Sequence, residues 1–468
     1  MSMALPKAPE FFQYPEAIRG DFLKTAPIRF RDGSQAGPEE IWRYLTEIGP
    51  VKYPNVYDNS NYYGRRISGD VTLPFSLKHN YLLMTMDDRM SKAKAAGTPV
   101  IFVQGGQSVD PYYAARAIAL RPASTNIWAR RKVEGLTLSQ EEVRSADEKE
   151  KAYRAISFEV CNTAGYEHIQ EGDLPVDMIA PYSCLRCSDV SYSLEAHRHG
   201  RRRDIKLFLA DYPLDHQRDK EWAIEYFAEN IRRLVAQIDE LTGGHTTAED
   251  LRREIKLHNA GRKLAVEIAD LWWSAEAPPT NGKDRRDLFQ MGGMELHGDP
   301  EATLSVLEEA KGYIEDRVKR GVKGYGVPDR PARLFVCGSC VFPNEYRTEA
   351  AGGIIVGNDN HWSDITTMVE EEGDPYYNLS KAILSYPYEQ SITERARWTV
   401  EQIKKSRSDG VLFLYNWGCN TQSAIARMLV DEIKKQTGLP TLIIEHEMRG
   451  TQTEQLQNRI NAFVEMIG

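Results

Sequence analysis

The residues best suited to chemistry are cysteines, and most of them stand where short apolar runs end. The chain has six in 468 residues. Cys161 follows Ala155-Ile156-Ser157-Phe158-Glu159-Val160, whose alternation predicts a half-buried strand. Cys184 and Cys187 follow the strand-like run Val176-Asp177-Met178-Ile179-Ala180. Cys419 follows Gly410-Val411-Leu412-Phe413-Leu414-Tyr415 and precedes a helix predicted over Thr421 to Gln436. In open α/β sheets the carboxyl ends of strands face the ligand crevice. A helix N-terminus lowers a thiol pKa and favours the thiolate, which binds metals or attacks electrophiles. Cys184-Leu185-Arg186-Cys187 alone reads either as a ligand or redox pair or as two half-buried thiols. Cys337-Gly338-Ser339-Cys340 offers a second pair for a four-ligand zinc site. Cys337, however, ends an apolar strand, and packing is its simpler reading.

Other chemistries leave no mark. The sequence has no Gly-x-Ser-x-Gly elbow and no Gly-x-x-x-x-Gly-Lys-Ser/Thr phosphate loop. Gln104-Gly105-Gly106-Gln107 is glycine-rich but lacks the dinucleotide fingerprint. His197-Arg198-His199-Gly200-Arg201-Arg202-Arg203 suits the phosphates of a large anion such as coenzyme A, though a solvated loop explains it more simply. Glu370-Glu371-Glu372-Gly373-Asp374 reads as an exposed loop and Trp272-Trp273 as packing.

These cysteines need elements to position them. Pro99 to Val103, Val176 to Ala180 and Ile205 to Leu209 predict strands, with a helix over Pro111 to Ala119. Ile224, Phe227, Ile231, Leu234, Val235, Ile238 and Leu241 mark one helical face, stopped by Gly243-Gly244. Thr246 with Glu249 predicts a capping box for a helix ending near Trp273. Another helix spans Glu301 to Arg320. A second alternation follows, with strands at Arg333–Gly338, Gly353–Val356, Gly410–Tyr415 and Thr441–Ile444, and a last helix over Thr453 to Ile467. The expected fold class is α/β: two Rossmann-like doubly wound lobes joined by a helical segment, with an irregular N-terminal extension. The expected division is 1–94 for the extension, 95–216 for the first lobe, 217–330 for the helical segment and 331–468 for the second lobe.

Composition narrows the class. Lys plus Arg number 59 and Asp plus Glu 68, a net charge of -9. That balance speaks against general nucleic-acid binding, which rests on phosphate neutralisation. No run of ~18 apolar residues appears, which argues against a membrane span. Met1-Ser2-Met3-Ala4-Leu5-Pro6-Lys7 has no apolar signal core, so a cytoplasmic setting is expected. Six cysteines are too sparse for a disulfide scaffold.

The C-terminal stretch from Gly410 through Cys419 to Gly438-Leu439-Pro440-Thr441-Leu442-Ile443-Ile444-Glu445, closing with Gln455, Arg459, Ala462-Phe463 and Glu465, resembles the 2-hydroxyacyl-CoA dehydratase and benzoyl-CoA reductase family. Leu241-Thr242-Gly243-Gly244, Leu251 with Ile255, Asn259-Ala260-Gly261-Arg262 and Arg333-Leu334-Phe335-Val336-Cys337-Gly338 resemble it too, so that many weak matches in the right order cover roughly residues 95–468. The resemblance implies a [4Fe-4S] cluster held by three cysteines in each of two related subunits, with a double-cubane [8Fe-9S] cluster as the alternative. Carried over by position, the ligands are Cys161, Cys419 and Cys184, with Cys187 competing for the second place because Ser188-Asp189 follows it. It also implies a paralogous cluster-bearing subunit, ATP-hydrolysing activator subunits with ATP bound only on that partner, ferredoxin as electron donor, and an acyl-CoA substrate. Relatives often carry Pro-x-Glu where this chain has Asp110-Pro111-Tyr112-Tyr113. That departure and the long N-terminal segment lean the reading toward the ring-reducing branch, a class I benzoyl-CoA reductase subunit. A 2-hydroxyacyl-CoA dehydratase subunit, a homodimeric double-cubane reductase and a zinc-stabilised scaffold compete with it.

Overall fold

The computed structural model describes residues 13–53, 57, 69–103, 108–120, 176–180, 205–211, 213, 217–338, 343, 345–416, 419–446 and 454–468. After a short antiparallel pair, β1 (Ile28–Arg29) and β2 (Gln35–Ala36), the chain forms two parallel four-stranded sheets. The first contains β3 (Val100–Phe102), β4 (Ile118–Leu120), β5 (Met178–Ile179) and β6 (Lys206–Leu207), in the order β4-β3-β5-β6. The second contains β7 (Ala332–Gly338), β8 (Gly353–Asn358), β9 (Gly410–Asn416) and β10 (Thr441–His446), in the order β8-β7-β9-β10. Numbered within each sheet, both orders are 2-1-3-4. The architecture is therefore mixed α/β with two parallel sheets and much helix. No helix among the described residues is long and apolar enough to cross a membrane.

Period-two alternation gives each sheet two apolar faces. In the first, Val100, Phe102, Leu120 and Ile179 pack with Met86 and Met90 of α1 (Pro74–Ala95). Ile101, Val103, Ala119 and Met178 face the other way, into the main core. In the second sheet, Leu334, Val336, Leu412 and Leu414 meet Leu456, Ile460 and Phe463 of the C-terminal helix. Phe335, Cys337, Val411 and Phe413 meet Ala396, Val400, Leu429 and Ile433 on the opposite side.

Helix α1 departs from the expected irregular extension. It runs 22 residues. Phe75, Leu77, Lys78, His79, Asn80, Leu82, Met84 and Met86 are all buried, so the first turns bury polar and apolar residues alike, solvent is met mainly from about Asp87 onward, and no amphipathic stripe advertises the helix. His79 Nδ1 lies 2.9 Å from His297 Nε2, and His297 Nδ1 lies 2.9 Å from Thr303 Oγ1. Thr303 donates its hydroxyl to the Asp299 carbonyl. His297 Nδ1 therefore donates to Thr303, and His79 Nδ1 donates to His297.

A second departure is α2 (Asp110–Ala114), which is shorter than the helix expected to reach Ala119. Arg116 adopts φ 61, Ala117 N–H returns to the Tyr112 carbonyl at 2.9 Å, and the chain leaves as strand β4. The middle of the chain carries α3 (Glu221–Thr242), α4 (Ala248–Ser274), α5 (Gly282–Met291) and α6 (Pro300–Arg320). The capping box of α4 uses Thr247 with Asp250, one residue later than the sequence predicts. Thr246 is occupied elsewhere: its hydroxyl bonds Asp239 at 2.6 Å. Beyond β7 come α7 (Glu345–Ala350), α8 (Asn360–Ile365), α9 (Pro375–Leu384), α10 (Ile392–Lys405), α11 (Asn420–Thr437) and α12 (Glu454–Ile467).

Helix α4 ties the halves together. Arg262 reaches Asp110 in α2 at 3.3 Å. Asn259 donates to the Val369 carbonyl at 2.7 Å and accepts from Val369 N–H at 3.1 Å. Trp273 donates to the Val356 carbonyl in β8 at 2.8 Å and packs edge-on to Phe289 and Trp362. Trp272 and Trp273 are thus packing residues, as their sequence context suggests.

Candidate functional site

In a 2-1-3-4 parallel sheet the connections diverge between the first and third strands, and the crevice lies at their carboxyl ends. Those ends are Phe102 and Ile179 in the first sheet and Gly338 and Asn416 in the second.

At the second sheet, Gly338 holds φ +116, and a Cβ there would overlap the Leu414 carbonyl oxygen of the adjacent strand. Its N–H donates to Asp359 Oδ1 at 3.1 Å, and its carbonyl accepts from the Tyr388 hydroxyl. Asp359 follows β8 directly and receives Arg395 Nη2 at 2.6 Å and Nε at 2.9 Å. Both side chains are 1% exposed. Arg395 also reaches Gln422 of α11 at 3.1 Å and lies 3.9 Å from the Tyr388 ring centroid. A doubly bonded buried ion pair thus fixes the loop ends around the switch point.

Cys419 is the N-cap residue of the 18-residue α11, with φ -74 and ψ 92. Its carbonyl accepts from Ser423 N–H at 3.0 Å. Cys419 is partly exposed, so its thiol meets the positive end of a helix without being sealed from ligands. Cys337 is different. It is 1% exposed within β7, and burial pushes its thiol well above its ordinary value, with Asp359 adding to the rise. A thiol held neutral this way is a packing group, which agrees with leaving it without a ligand role.

Cys161, Cys184 and Cys187 lie outside the described residues, as do Cys340 and the basic run from His197 to Arg203. The structure brings none of them to Cys419 and separates none from it. Among the described residues, no group of three or more His, Cys, Asp or Glu side chains is placed to hold a metal ion. The donor chemistry of Cys419 fits one thiolate ligand of an iron–sulfur cluster. The run Glu370–Asp374 is an exposed connection: Asn259 donates to Glu371 at 3.1 Å, and Asp374 caps α9 through Tyr376 N–H at 3.1 Å.

At the first sheet the corresponding end carries a buried polar cluster. Asp110, fully buried, accepts from Ser108 and from Arg262 Nη2, and its Oδ1 lies 3.5 Å from His258 Nδ1. Burial alone would raise its pKa, but His258, Arg262 and Ser108 together hold it below the usual carboxylate range. His258 Nδ1 approaches the Glu254 carbonyl at 2.7 Å. Tyr112 donates to the Ala180 carbonyl at 2.7 Å, which ties α2 to the end of β5.

The turn Pro387–Glu389 packs at the second sheet's end. Tyr388 bonds Gly338, while Glu389 pairs with Arg218 at 3.3 Å. Tyr386 lies within the field of Arg262, Asp364, Asp110 and Glu389. Sequence reading assigned no role to Asp110, Arg262, Asp359, Asp364, Tyr386 or Arg395. The available signals were Asp110-Pro111 as a helix start after a strand and Asp359 directly after a buried strand.

Comparison with known proteins now bears on this geometry. A family model described as 2-hydroxyglutaryl-CoA dehydratase, D-component, matches residues 113–467. The chain is 24% identical over 280 residues to the alpha subunit of (R)-2-hydroxyglutaryl-CoA dehydratase from Acidaminococcus fermentans, covering 57% of this chain and 55% of the relative. It is 22% identical over 254 residues to a subunit of benzoyl-CoA reductase from Thauera aromatica, covering 52% of this chain and 63% of the relative. The match thus spans less than two thirds of either relative's own length.

Proposed function

Because the chain belongs to the 2-hydroxyglutaryl-CoA dehydratase, D-component, family, we propose that it is the iron–sulfur subunit of an aromatic acyl-CoA reductase of the benzoyl-CoA type. The observation that carries the reading is the repeated strand order. In each sheet the carboxyl end of the third strand is followed by cysteine, Cys184 and Cys187 after β5 and Cys419 after β9, while Cys340 follows the first strand, β7, of the second sheet. On this reading the sheets are two Rossmann-like units facing one crevice, and Cys161, Cys184 and Cys419 hold a [4Fe-4S] cluster, with Cys187 the substitute for Cys184. When bound, such a cluster supplies single low-potential electrons. The chain itself does the rest. Cys419 presents its sulfur at a helix N-terminus, which favours the thiolate. The Asp359–Arg395 pair, through Gln422 of α11, fixes the backbone beside it.

The absence of a phosphate-binding motif supports leaving ATP hydrolysis to activator subunits. A paralogous cluster-bearing subunit, a ferredoxin donor and a cytoplasmic location complete the proposal. A second reading, a 2-hydroxyacyl-CoA dehydratase subunit, has its own support: the longer of the two matched stretches belongs to the dehydratase relative.

The test is anaerobic purification followed by iron and acid-labile sulfide analysis and electron paramagnetic resonance of the reduced protein. About four irons per chain are expected for one cubane, and a colourless, iron-free protein would end the reading. Turnover by the assembled complex of benzoyl-CoA against a 2-hydroxyacyl-CoA decides between the two activities.

A further inference from the structure

Helix α11 is held along one side by Ala426, Leu429, Val430 and Ile433, which pack against β7, β9 and α10. That apolar contact begins at Ala426, about two turns beyond Cys419. In the stretch between, Gln422 is 6% exposed, Ser423 and Ala424 are exposed, and Ile425 is half-buried. The first turn of the helix, the one that presents Cys419, is thus anchored among the described side chains by a polar group.

A glutamine at this place commonly does something else. Cys419 is the N-cap and Gln422 the third helical residue, the spacing of a capping box, in which that glutamine turns back to the N-cap N–H. Here Gln422 Oε1 instead accepts from Arg395 Nη1 at 3.1 Å. The other two nitrogens of Arg395 go to Asp359 Oδ2, and Asp359 Oδ1 receives the N–H of Gly338. The guanidinium also lies over the Tyr388 ring, whose hydroxyl bonds the Gly338 carbonyl. One side chain therefore gathers the carboxyl end of β7, the residue after β8 and the first turn of the helix after β9.

We propose that Arg395 and Gln422 are positioning residues for Cys419, an inference that rests on the cluster reading above. They fix the first turn of α11 against the ends of β7 and β8, and so set where the Cys419 sulfur stands at the carboxyl end of the second sheet. They act through the backbone, in which Ser423 N–H bonds the Cys419 carbonyl at 3.0 Å. Partners that hold a metal ligand in place govern how well the metal is kept, even when they make no bond to it.

The charges favour an effect on place rather than on acidity. Arg395 and Asp359 are both 1% exposed and cancel one another, so the anchor brings no net charge to the first turn. Gln422 is neutral and hangs on the pair from outside. Removing it leaves both bonds between Arg395 and Asp359 intact and no buried charge without its counterion. Gln422 can therefore be changed without the cost that loss of Arg395 carries.

The experiment compares wild type, Gln422→Ala, Gln422→Glu and Arg395→Lys in the full chain. Hydrogen exchange at Ser423, read by mass spectrometry, should speed roughly tenfold in Gln422→Ala, the loss of one bond to a charged group, while Leu429 to Ile433 exchange at the wild-type rate. In the iron-loaded protein, loss of iron to a chelator should quicken about tenfold in the same variant, and the paramagnetic spectrum of the reduced protein should change. Gln422→Glu keeps an acceptor for Arg395 and should restore both. Arg395→Lys keeps the charge but loses the fork, and should match Gln422→Ala. Wild-type exchange at Ser423 in Gln422→Ala overturns the proposal, as does faster exchange spread evenly along α11. Iron loss and a spectrum like those of wild type, or no recovery in Gln422→Glu, also overturn it. An iron-free wild type sinks the cluster reading instead, and exchange at Ser423 across the four proteins still decides whether Arg395 and Gln422 hold the first turn.

Discussion

The two sheets share a strand order but are stabilised differently. The second has strands of six and seven residues, apolar clusters on both faces and a doubly bonded ion pair, Asp359–Arg395, at its carboxyl end. The first has strands of two and three residues among those described. One of its faces is covered by α1, and its polar cluster Asp110–His258–Arg262 is completed by α4. The second sheet therefore carries its own cover, while the first takes one cover from the helix just before it and has its polar end completed by α4, with Arg262 and Asp110 152 residues apart. Equal topology does not mean equal independence.

Four changes would break or sharpen that contrast. The largest effect is expected from Gly338→Ala, because a Cβ there meets backbone and the φ of +116 disfavours any side chain. We expect a loss of about 5 kcal/mol by chemical denaturation, with the second sheet losing hydrogen-exchange protection and the first keeping it. Arg395→Met should follow at roughly 4 kcal/mol, because it leaves Asp359 buried and uncompensated. Equal loss in both sheets would contradict the claim that the second stands alone.

Acid should act on the other half. Burial pushes His79 down to about 4, while Asp287 pulls the other way. Its folded value lies below the ordinary 6.5, so as pH falls below 6.5 the unfolded chain takes up the proton first. Stability contributed by neutral His79 is complete above that point and is lost down to about pH 4. The loss should reach roughly 3 kcal/mol and appear as faster amide exchange in α1 before β7 or β9. A flat stability profile across that window would remove His79 from the account. Thr247→Ala should cost only about 1 kcal/mol through the α4 cap. It should loosen both sheets together, since α4 touches both.

Legibility in the sequence follows the same divide. Strands β7 to β10 and helices α3, α4 and α6 were readable because one apolar run or stripe marks each. Helix α1 was not, because Lys78, His79 and Asn80 are buried beside Leu77 and Leu82 and satisfied by distant partners such as His297 and Tyr14. Strand β4 was hidden by Arg116, a non-glycine residue in a left-handed turn that local rules do not anticipate. At the candidate site, Cys419 was found from its place after β9. Arg395 and Gln422 were not, since their meaning depends on Asp359 and the first turn of α11 meeting at one guanidinium, which sequence spacing does not display. The alternation that identified the four-strand runs says nothing about which polar side chains the tertiary fold will bury.

One feature of the middle of the chain sets how its two halves can be rearranged. Helix α4 is 27 residues long, about 40 Å of continuous backbone, and along it Asn259 holds Val369, Arg262 holds Asp110 and Trp273 holds Val356. The link between α2 at the first sheet and β8 in the second therefore runs through one continuous helix. Side chains elsewhere can be exchanged one at a time while the reach between those attachments stays constant. A change in that reach would have to be written into the helix itself.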